Sequence, residues 1–141
     1  MSYTHTITVP LAWDQAVQRT RDALAEQGFG ILTEINVRAT FEAKLGSDAA
    51  EAVGDYMILG ACNPALASRA LAAEPELGAL LPCNVVVRRD KDATETTIET
   101  IDPNTMVQLS GAPAVREIAE DADARLLRAL AGLKGATSIT P

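Results

Sequence analysis

Few residues of the types that build common catalytic and metal sites occur in this sequence. Its 141 residues include one histidine, two cysteines and 4% aromatic residues. A single histidine excludes sites built from several imidazoles of one chain, and a Ser-His-Asp triad would have to use His5. No serine lies in a nucleophile-elbow motif, and no glycine-rich phosphate loop precedes a lysine. The short motifs that identify many enzyme classes are therefore absent.

Positive charge and long apolar runs are also scarce. The chain has 12 lysine and arginine residues against 19 aspartate and glutamate residues, a net charge of −7. Such a surface repels phosphate backbones and anionic lipids, so we expect neither nucleic acid nor membrane as a partner. No apolar run approaches the roughly 18 residues of a membrane-spanning helix. The opening MSYTHTITVP lacks the basic and apolar regions of a signal peptide, so we expect a cytoplasmic protein with reduced cysteines.

The residues that are present have the composition of an ordinary globular domain. Hydrophobic residues make up 48% of the chain and charged residues 22%. A chain of this length closes one core, so we expect a single domain over residues 1–134. Residues 135–141 contain little to bury, and we expect them to form a frayed tail.

Hydrophobic periodicity predicts a β-α-β arrangement at the start of the chain. Apolar and polar residues alternate over residues 3–9, as in a half-buried strand. Helical spacing over residues 12–27 predicts the first helix, which Gly28 ends. Alternation returns over residues 31–38 and predicts the second strand.

The segment that follows has weaker patterns. Residues 39–45 predict a short helix, with Thr40 as its N-cap and with Phe41 and Leu45 one turn apart. Residues 46–55 combine Gly, Ser, Asp and Ala, and we expect a surface connection there.

The second half of the chain predicts three strands and two longer helices. Asn63-Pro64 opens the second helix, because asparagine accepts a free backbone N–H and proline at the first position loses no hydrogen bond. Pro75 interrupts this helix, since proline disfavours helical geometry in the residue before it. The predicted ranges are 56–61 for strand 3, 64–81 for the interrupted helix, 83–89 for strand 4, 94–101 for strand 5, 104–109 for a short turn and 113–133 for helix 3.

The order of the main elements is β-α-β-β-α-β-β-α, which indicates an α+β fold. We expect about five strands in a mostly antiparallel sheet, because the last two strands form a hairpin across a polar turn. Helices 1 and 3 are expected on one face of the sheet. The interrupted second helix is expected at an edge or end.

The dipeptide Cys-Asn occurs twice and contains both cysteines. A straight helix over residues 64–81 would separate the two dipeptides by about 27 Å. A bend at Pro75 lets the chain reverse, so that strand 3 would end and strand 4 begin at the same edge of the sheet. Arg69 beside the helix cap and Glu34 on strand 2 would add polar groups. The candidate ligand-binding residues are Cys62, Asn63, Arg69, Cys83, Asn84 and Glu34.

Three interpretations of the cysteine pair remain open. Both thiols could be small buried hydrophobes, since free cysteine is among the most buried residue types. Cys62, Cys83 and His5 could instead bind a thiophilic metal ion, or the thiols could face a small ligand. Those three residues leave a tetrahedral zinc site one ligand short, so a dimer or an external ligand would have to complete it. A disulfide is the third interpretation, which a reducing compartment disfavours.

Three separated motifs carry a family resemblance: GFGILTEINV, ILGACNPALASRALAAEPELGALLPCNVVV and IDPNTMVQL. Together they resemble the DUF302 domain family over about residues 6–133. The resemblance implies a compact α+β unit with a mostly antiparallel sheet flanked by helices, often paired as a dimer, and a function that is unknown. The chain departs from the family pattern in a polar insertion at residues 47–54.

These observations lead to three functional hypotheses. The first is a small cytosolic binding or accessory domain, dimeric, with a small molecule or soft metal at the two Cys-Asn units. The second is an enzyme that uses Cys62 or Cys83 as a thiolate, with Arg69 or Glu34 nearby. The third is a structural module whose exposed apolar sheet face is a dimer surface.

Overall fold

The computed structural model describes the backbone of residues 2–139 and the side chains of residues 2–135. The strands are β1 Thr4–Val9, β2 Gly30–Asn36, β3 Asp55–Cys62, β4 Cys83–Arg89 and β5 Thr96–Ile101. The α-helices are α1 Trp13–Glu26, α2 Val37–Leu45, α3 Ser47–Val53, α4 Pro64–Ala73, α5 Asn104–Leu109 and α6 Pro113–Ile139. A 3₁₀ helix, Pro75–Leu80, connects α4 to β4.

The five strands form one open sheet in the order β1-β5-β4-β3-β2, and every neighbouring pair is antiparallel. Cross-strand partners on the inner face are apolar, as in the pairs Leu59–Val85 and Val87–Ile98. Successive residues of a strand point to opposite faces, so the alternating β-branched sequence gives the sheet one apolar face. The predicted α+β fold with a five-stranded antiparallel sheet is confirmed.

Helices α1 and α6 pack against each other and against this apolar face. Leu24 of α1 and Leu126 of α6 are almost completely buried, in one cluster with Leu59, Val85 and Ile98 of the sheet. The Trp13 indole N–H donates a hydrogen bond of 2.8 Å to the backbone oxygen of Val87, which fixes the start of α1 on β4. The prediction that the first and last helices share one face is confirmed.

A second apolar cluster lies beside the main core. It is built by α4, the 3₁₀ helix, α5 and the first half of α6, and it contains Leu66, Ala70, Leu77, Met106, Val115, Ile118 and Ala122. The interrupted helix therefore packs at one end of the sheet.

The end of β2 differs from the prediction. The strand stops at Asn36, two residues before Arg38, and α2 begins at once. The predicted cap, Thr40, was wrong: the side-chain oxygen of Asn36 accepts the backbone N–H of Ala39 at 3.0 Å, and the Thr40 hydroxyl donates to the Asn36 backbone oxygen. Asparagine is the stronger N-cap, and it lies where the chain leaves the extended conformation.

The expected surface connection over residues 46–55 contains a short helix that the sequence did not indicate, α3, Ser47–Val53. Gly46 separates α2 from α3 with φ at 98°, a value that favours glycine. Ala50 is 2% exposed, so this short helix has a packed side. Tertiary packing stabilises a helix this short, whereas its sequence alone gives a weak helical signal.

The last helix runs through Ile139, beyond the apolar stripe that ends at Leu133. Residues 140–141, the end of the expected frayed tail, lie outside the described residues. Across residues 2–139, no helix combines the length and the apolar character needed to cross a membrane.

Candidate functional site

The chain reversal between β3 and β4 brings the two Cys-Asn units to one end of the sheet. The strands are antiparallel neighbours, and Ala61 is the Cα partner of Cys83. Glu74, between α4 and the 3₁₀ helix, has an extended backbone with φ −152° and ψ 98°. A proline at position 75 favours that extended geometry, so the local sequence produces the bend.

A cavity of about 270 Å³ lies at this end of the sheet, between the main core and the second apolar cluster. Both cysteines and Asn63 line it, and almost all other lining side chains are hydrocarbon. The lining residues are Phe29, Leu32, Ala61, Cys62, Asn63, Leu66, Ala67, Ala70, Leu71, Gly78, Leu81, Pro82, Cys83, Met106, Ile118 and Ala122.

Two exposed leucines lie among these lining residues. Leu32 is 67% exposed and Leu71 is 40% exposed. The register of β2 against β3 shifts between Ile31 and Thr33, so Leu32 is the extra residue of a β-bulge. Bulges redirect a side chain out of the regular alternation, and this one places a large apolar group beside the cavity.

Asn63 and Gly28 together shape the wall at the start of α4. The Asn63 side-chain oxygen accepts the backbone N–H of Leu66 at 3.2 Å, which caps the helix. Gly28 has φ at 86°, and a Cβ atom there would lie 2.9 Å from the Asn63 amide nitrogen and 3.3 Å from a guanidinium nitrogen of Arg125. Only glycine allows this close approach, so Gly28 both ends α1 and makes room for the cap of α4.

The two cysteines are free thiols in different environments. Cys83 is buried, whereas Cys62 is half-buried. Burial, and secondarily the negative charge of a Cys62 thiolate, raises the pKa of Cys83 from 9.0 to about 11. The Cys83 thiol is therefore protonated at neutral pH, which disfavours it as a nucleophile or as a ready metal ligand.

Three of the predicted site residues lie outside the cavity lining. Asn84 is exposed and follows Cys83 on β4, so it faces the side of the sheet away from the helices. The Arg69 side chain is 52% exposed, and its guanidinium lies 3.9 Å from Glu117. Glu34 forms an ion pair with Arg21 of α1. The sequence interpretation grouped these three residues with the cysteines, but their side chains do not line the cavity.

His5 lies apart from the cysteines, because β5 and β4 separate its strand from β3. Its Nε2 atom is 2.6 Å from Oδ1 of Asp123 and 3.8 Å from Oδ1 of Asp102. Within the described part of the chain, these three residues form the only group of three or more His, Cys, Asp and Glu side chains close enough to share an ion. The three residues Cys62, Cys83 and His5 are not brought together in one chain.

The sequence interpretation missed the α5 and α6 side of the cavity. Met106, Ile118 and Ala122 line it, and Ile118 and Ala122 are one helical turn apart. Their spacing identified them as buried residues of a helix, but no sequence pattern shows that packing around them leaves a space.

A larger surface depression of about 630 Å³ lies between α3 and the turn after β4. Its walls are exposed charged side chains such as Asp48, Glu51, Asp90 and Lys91. We give it no functional assignment, because solvated surface charges do not enclose a ligand.

The fold and the cavity define a small α+β domain with an apolar pocket at one end of an antiparallel sheet. The chain belongs to the family described as "Domain of unknown function DUF302", whose sequence profile matches residues 5–133. A solved structure titled as the uncharacterized conserved protein DUF302 from Bacillus stearothermophilus is 29% identical, with a TM-score of 0.83 over 94% of this chain and 99% of that one. No curated protein shows significant similarity to the chain. The family resemblance seen in the sequence motifs is confirmed.

Proposed function

We propose that this domain binds a small apolar molecule in the cavity lined by Cys62, Asn63 and Cys83. One observation carries the proposal: a space of about 270 Å³ with walls of almost pure hydrocarbon. Its apolar walls distinguish this pocket from the depression beside α3, whose walls are charged, and ligand pockets are mostly apolar. At roughly 30 Å³ per water molecule the space corresponds to about nine waters, which is room for a ligand of about ten non-hydrogen atoms.

The position of Leu32 and Leu71 supports entry of an apolar ligand. Both are large hydrophobic side chains that line the cavity and are also exposed to solvent. Large exposed apolar side chains beside a pocket are typical of binding surfaces. A ligand that covers them would remove apolar surface from water, at roughly 25 cal/mol for each Å² buried.

The raised pKa of Cys83 ranks an apolar ligand above a soft metal ion held by both cysteines and above catalysis by a Cys83 thiolate. A thiophilic cation would have to displace the proton of a buried thiol whose pKa is about 11. A nucleophilic role would need the same ionisation. An apolar ligand requires no ionisation and fits walls that are almost entirely hydrocarbon.

Binding of 1-aminonaphthalene, a small fluorophore that is uncharged at neutral pH and matches the size of the cavity, tests the proposal. Ala67 is half-buried, lines the cavity and lies on α4. The Ala67→Leu variant fills part of the space from its accessible side, so we expect the Kd for 1-aminonaphthalene to rise at least about tenfold. Ala65→Leu is the matched control, because Ala65 is exposed on the same helix outside the lining. Fluorescence titration of the three proteins measures the difference.

Two outcomes would contradict apolar binding. The first is the absence of a saturable change in 1-aminonaphthalene fluorescence with the wild-type protein. The second is an equal Kd for the Ala67→Leu and Ala65→Leu variants. Thermal unfolding of each variant verifies that both are folded before their titrations are compared.

Dimerisation is a further part of the proposal. The face of the sheet away from α1 and α6 carries partly exposed Ile58 and Val86 and 47% exposed Ile35. The charged residues Arg88 and Glu99 on this face pair with each other, since Arg88 donates a hydrogen bond of 2.7 Å to Glu99. A second copy can therefore cover this face without burying an unpaired charge. A cytoplasmic location also belongs to the proposal and is supported by two free thiols, which reducing compartments maintain.

A further inference from the structure

His5, Asp102 and Asp123 converge from three separate elements, away from the apolar cavity. His5 is on β1, Asp102 directly follows β5, and Asp123 is on α6. Their ligand atoms all lie within 4.8 Å of one another. We propose that these three side chains hold a divalent first-row transition-metal cation, a second site that is independent of the proposed apolar ligand.

The distances between the side chains suit such an ion. Zinc bonds to imidazole nitrogen and carboxylate oxygen measure about 2.0–2.2 Å, which puts neighbouring ligand atoms about 3–3.5 Å apart. The His5–Asp123 distance of 2.6 Å lies just below this range and the His5–Asp102 distance of 3.8 Å just above it. The third pair, Asp102 and Asp123, has ligand atoms within 4.8 Å of each other, so side-chain adjustments would place all three residues around one cation. The short contact is a hydrogen bond that the cation would replace.

The types of donor select the class of cation. One imidazole with two carboxylates suits borderline ions such as Zn²⁺ or Co²⁺, whereas soft ions prefer thiolates and Mg²⁺ prefers oxygen alone. The Asp102 carboxylate already accepts hydrogen bonds from the backbone and side-chain nitrogens of Asn104, at 2.9 and 3.0 Å. Such second contacts fix the orientation of a ligating group.

Thr100 supplies an independent observation that points to a bound species. Its side-chain oxygen is buried and has no hydrogen-bond partner among the described residues, whereas the buried hydroxyls of Thr20 and Thr96 both donate to backbone oxygens. Thr100 is the cross-strand partner of His5, and it precedes Asp102 by two residues on the same face. A water molecule bound to the cation would form a hydrogen bond with the buried Thr100 hydroxyl.

The site is accessible to an ion from solvent. The side chains of His5, Asp102 and Asp123 are 25%, 24% and 19% exposed. A groove of about 410 Å³ runs beside His5 between β1 and α6. Partial exposure allows water to complete the coordination, while half-burial limits the screening of two carboxylate charges.

Co²⁺ titration of the wild-type protein, purified without a histidine tag, tests the proposal by absorption spectroscopy. We expect saturable d–d bands without a thiolate-to-cobalt charge-transfer band, because the ligands are nitrogen and oxygen. Asp123→Asn and His5→Gln are expected to raise the Kd for Co²⁺ at least about tenfold. Glu120→Gln is the matched control, since it removes the same charge from an exposed position on α6 and should leave the Kd unchanged.

Asp102→Asn provides a further ligand variant if either of the first two is unfolded, and circular dichroism establishes the folding of each. Absence of saturable binding would overturn the proposal, as would a thiolate charge-transfer band, which would place the ion at the cysteines. An equal Kd for Asp123→Asn and Glu120→Gln would overturn it too. Thr100→Val is expected to weaken binding by about twofold to fivefold, and an unchanged Kd would overturn the role assigned to the hydroxyl.

Discussion

At the residue scale, two copies of the same dipeptide acquire different properties. Cys62 ends a strand and is half-buried, whereas Cys83 begins one and is buried. Asn63 caps α4, while Asn84 is exposed on the sheet face away from the helices. A strand alternates its side chains between two faces, so one step along the chain moves a residue from the cavity to the opposite surface.

The buried Cys83 thiol should make stability depend on pH in the alkaline range. The folded-state pKa of Cys83 is about 11, against an ordinary value of 9.0. Below pH 9 both states hold the proton; above it the unfolded chain releases its proton first, so stability falls between pH 9 and 11. Two pH units correspond to about 2–3 kcal/mol in the free energy of unfolding.

Chemical denaturation of the wild-type and Cys83→Ala proteins at pH 8 and pH 11 measures this effect. The difference between the two pH values should shrink by about 2–3 kcal/mol in the variant, because the shifted group is gone. Cys62→Ala is the control and should keep most of the pH dependence, since burial is the larger cause of the shift. Equal pH dependence in wild-type and Cys83→Ala proteins would show that the thiol is not desolvated.

At the element scale, the contact of β2 with β3 depends on a glycine. A Cβ atom on Gly60 would overlap the hydroxyl oxygen of Thr33 and lie 2.9 Å from Cγ of Pro82. The bulge at Leu32 lies in the same stretch of β2. The glycine, the bulge and the proline therefore meet next to the cavity, where the strands approach more closely than a regular pair of side chains permits.

Gly60→Ala is expected to destabilise the protein by about 2–3 kcal/mol, because the methyl group overpacks this crossing. Glycine replaced by alanine in an unhindered strand stabilises by roughly 0.5–1 kcal/mol, so the sign of the change is diagnostic. Urea denaturation of Gly60→Ala, Thr33→Ala and the double variant forms a complete cycle. Thr33→Ala removes the overlapping hydroxyl and should recover part of the loss. A stabilised single variant, or no coupling in the cycle, would contradict the close contact.

At the scale of the whole molecule, the helices cover one face of the sheet and leave much of the other face to solvent. Val86 lies on the central strand β4, with Ile58 and Glu99 as its cross-strand partners. The paired charges of Arg88 and Glu99 keep this face nearly neutral although the chain carries a net charge of −7. The rest of the surface therefore carries the excess negative charge, which favours contact between copies through this face.

Sedimentation equilibrium of the wild-type protein should give twice the chain mass of 14.9 kDa. Val86→Lys should give the monomer mass, because two lysines near the centre of the contact repel each other while each can pair with Glu99 in the monomer. Leu109→Lys is the control, since Leu109 is 69% exposed on α5, outside this face. A monomeric wild-type protein, or a dimeric Val86→Lys variant, would exclude the proposed dimer surface.

The prediction succeeded where the signal was long and periodic. The five strands follow from alternation or from short apolar runs, and the two long helices follow from helical spacing. The position of Asn63 as a cap follows from its chemistry. The prediction failed over residues 36–54, where Asn36 competes with Thr40 as a cap and α3 depends on packing. A short element contains too few periodic residues for its sequence to predict it, because tertiary contacts decide whether it forms.

The sequence by itself determined the order of the elements, the apolar face of the sheet and the bend before Pro75, because each depends on residues within a few positions of one another. Only the tertiary structure decided which side chains share a site. His5 and Asp123 are 118 residues apart in the chain and 2.6 Å apart in space. The cavity likewise exists because two apolar clusters meet without filling the gap between them. Such contacts join distant segments, and no local pattern of residues encodes the distance between them.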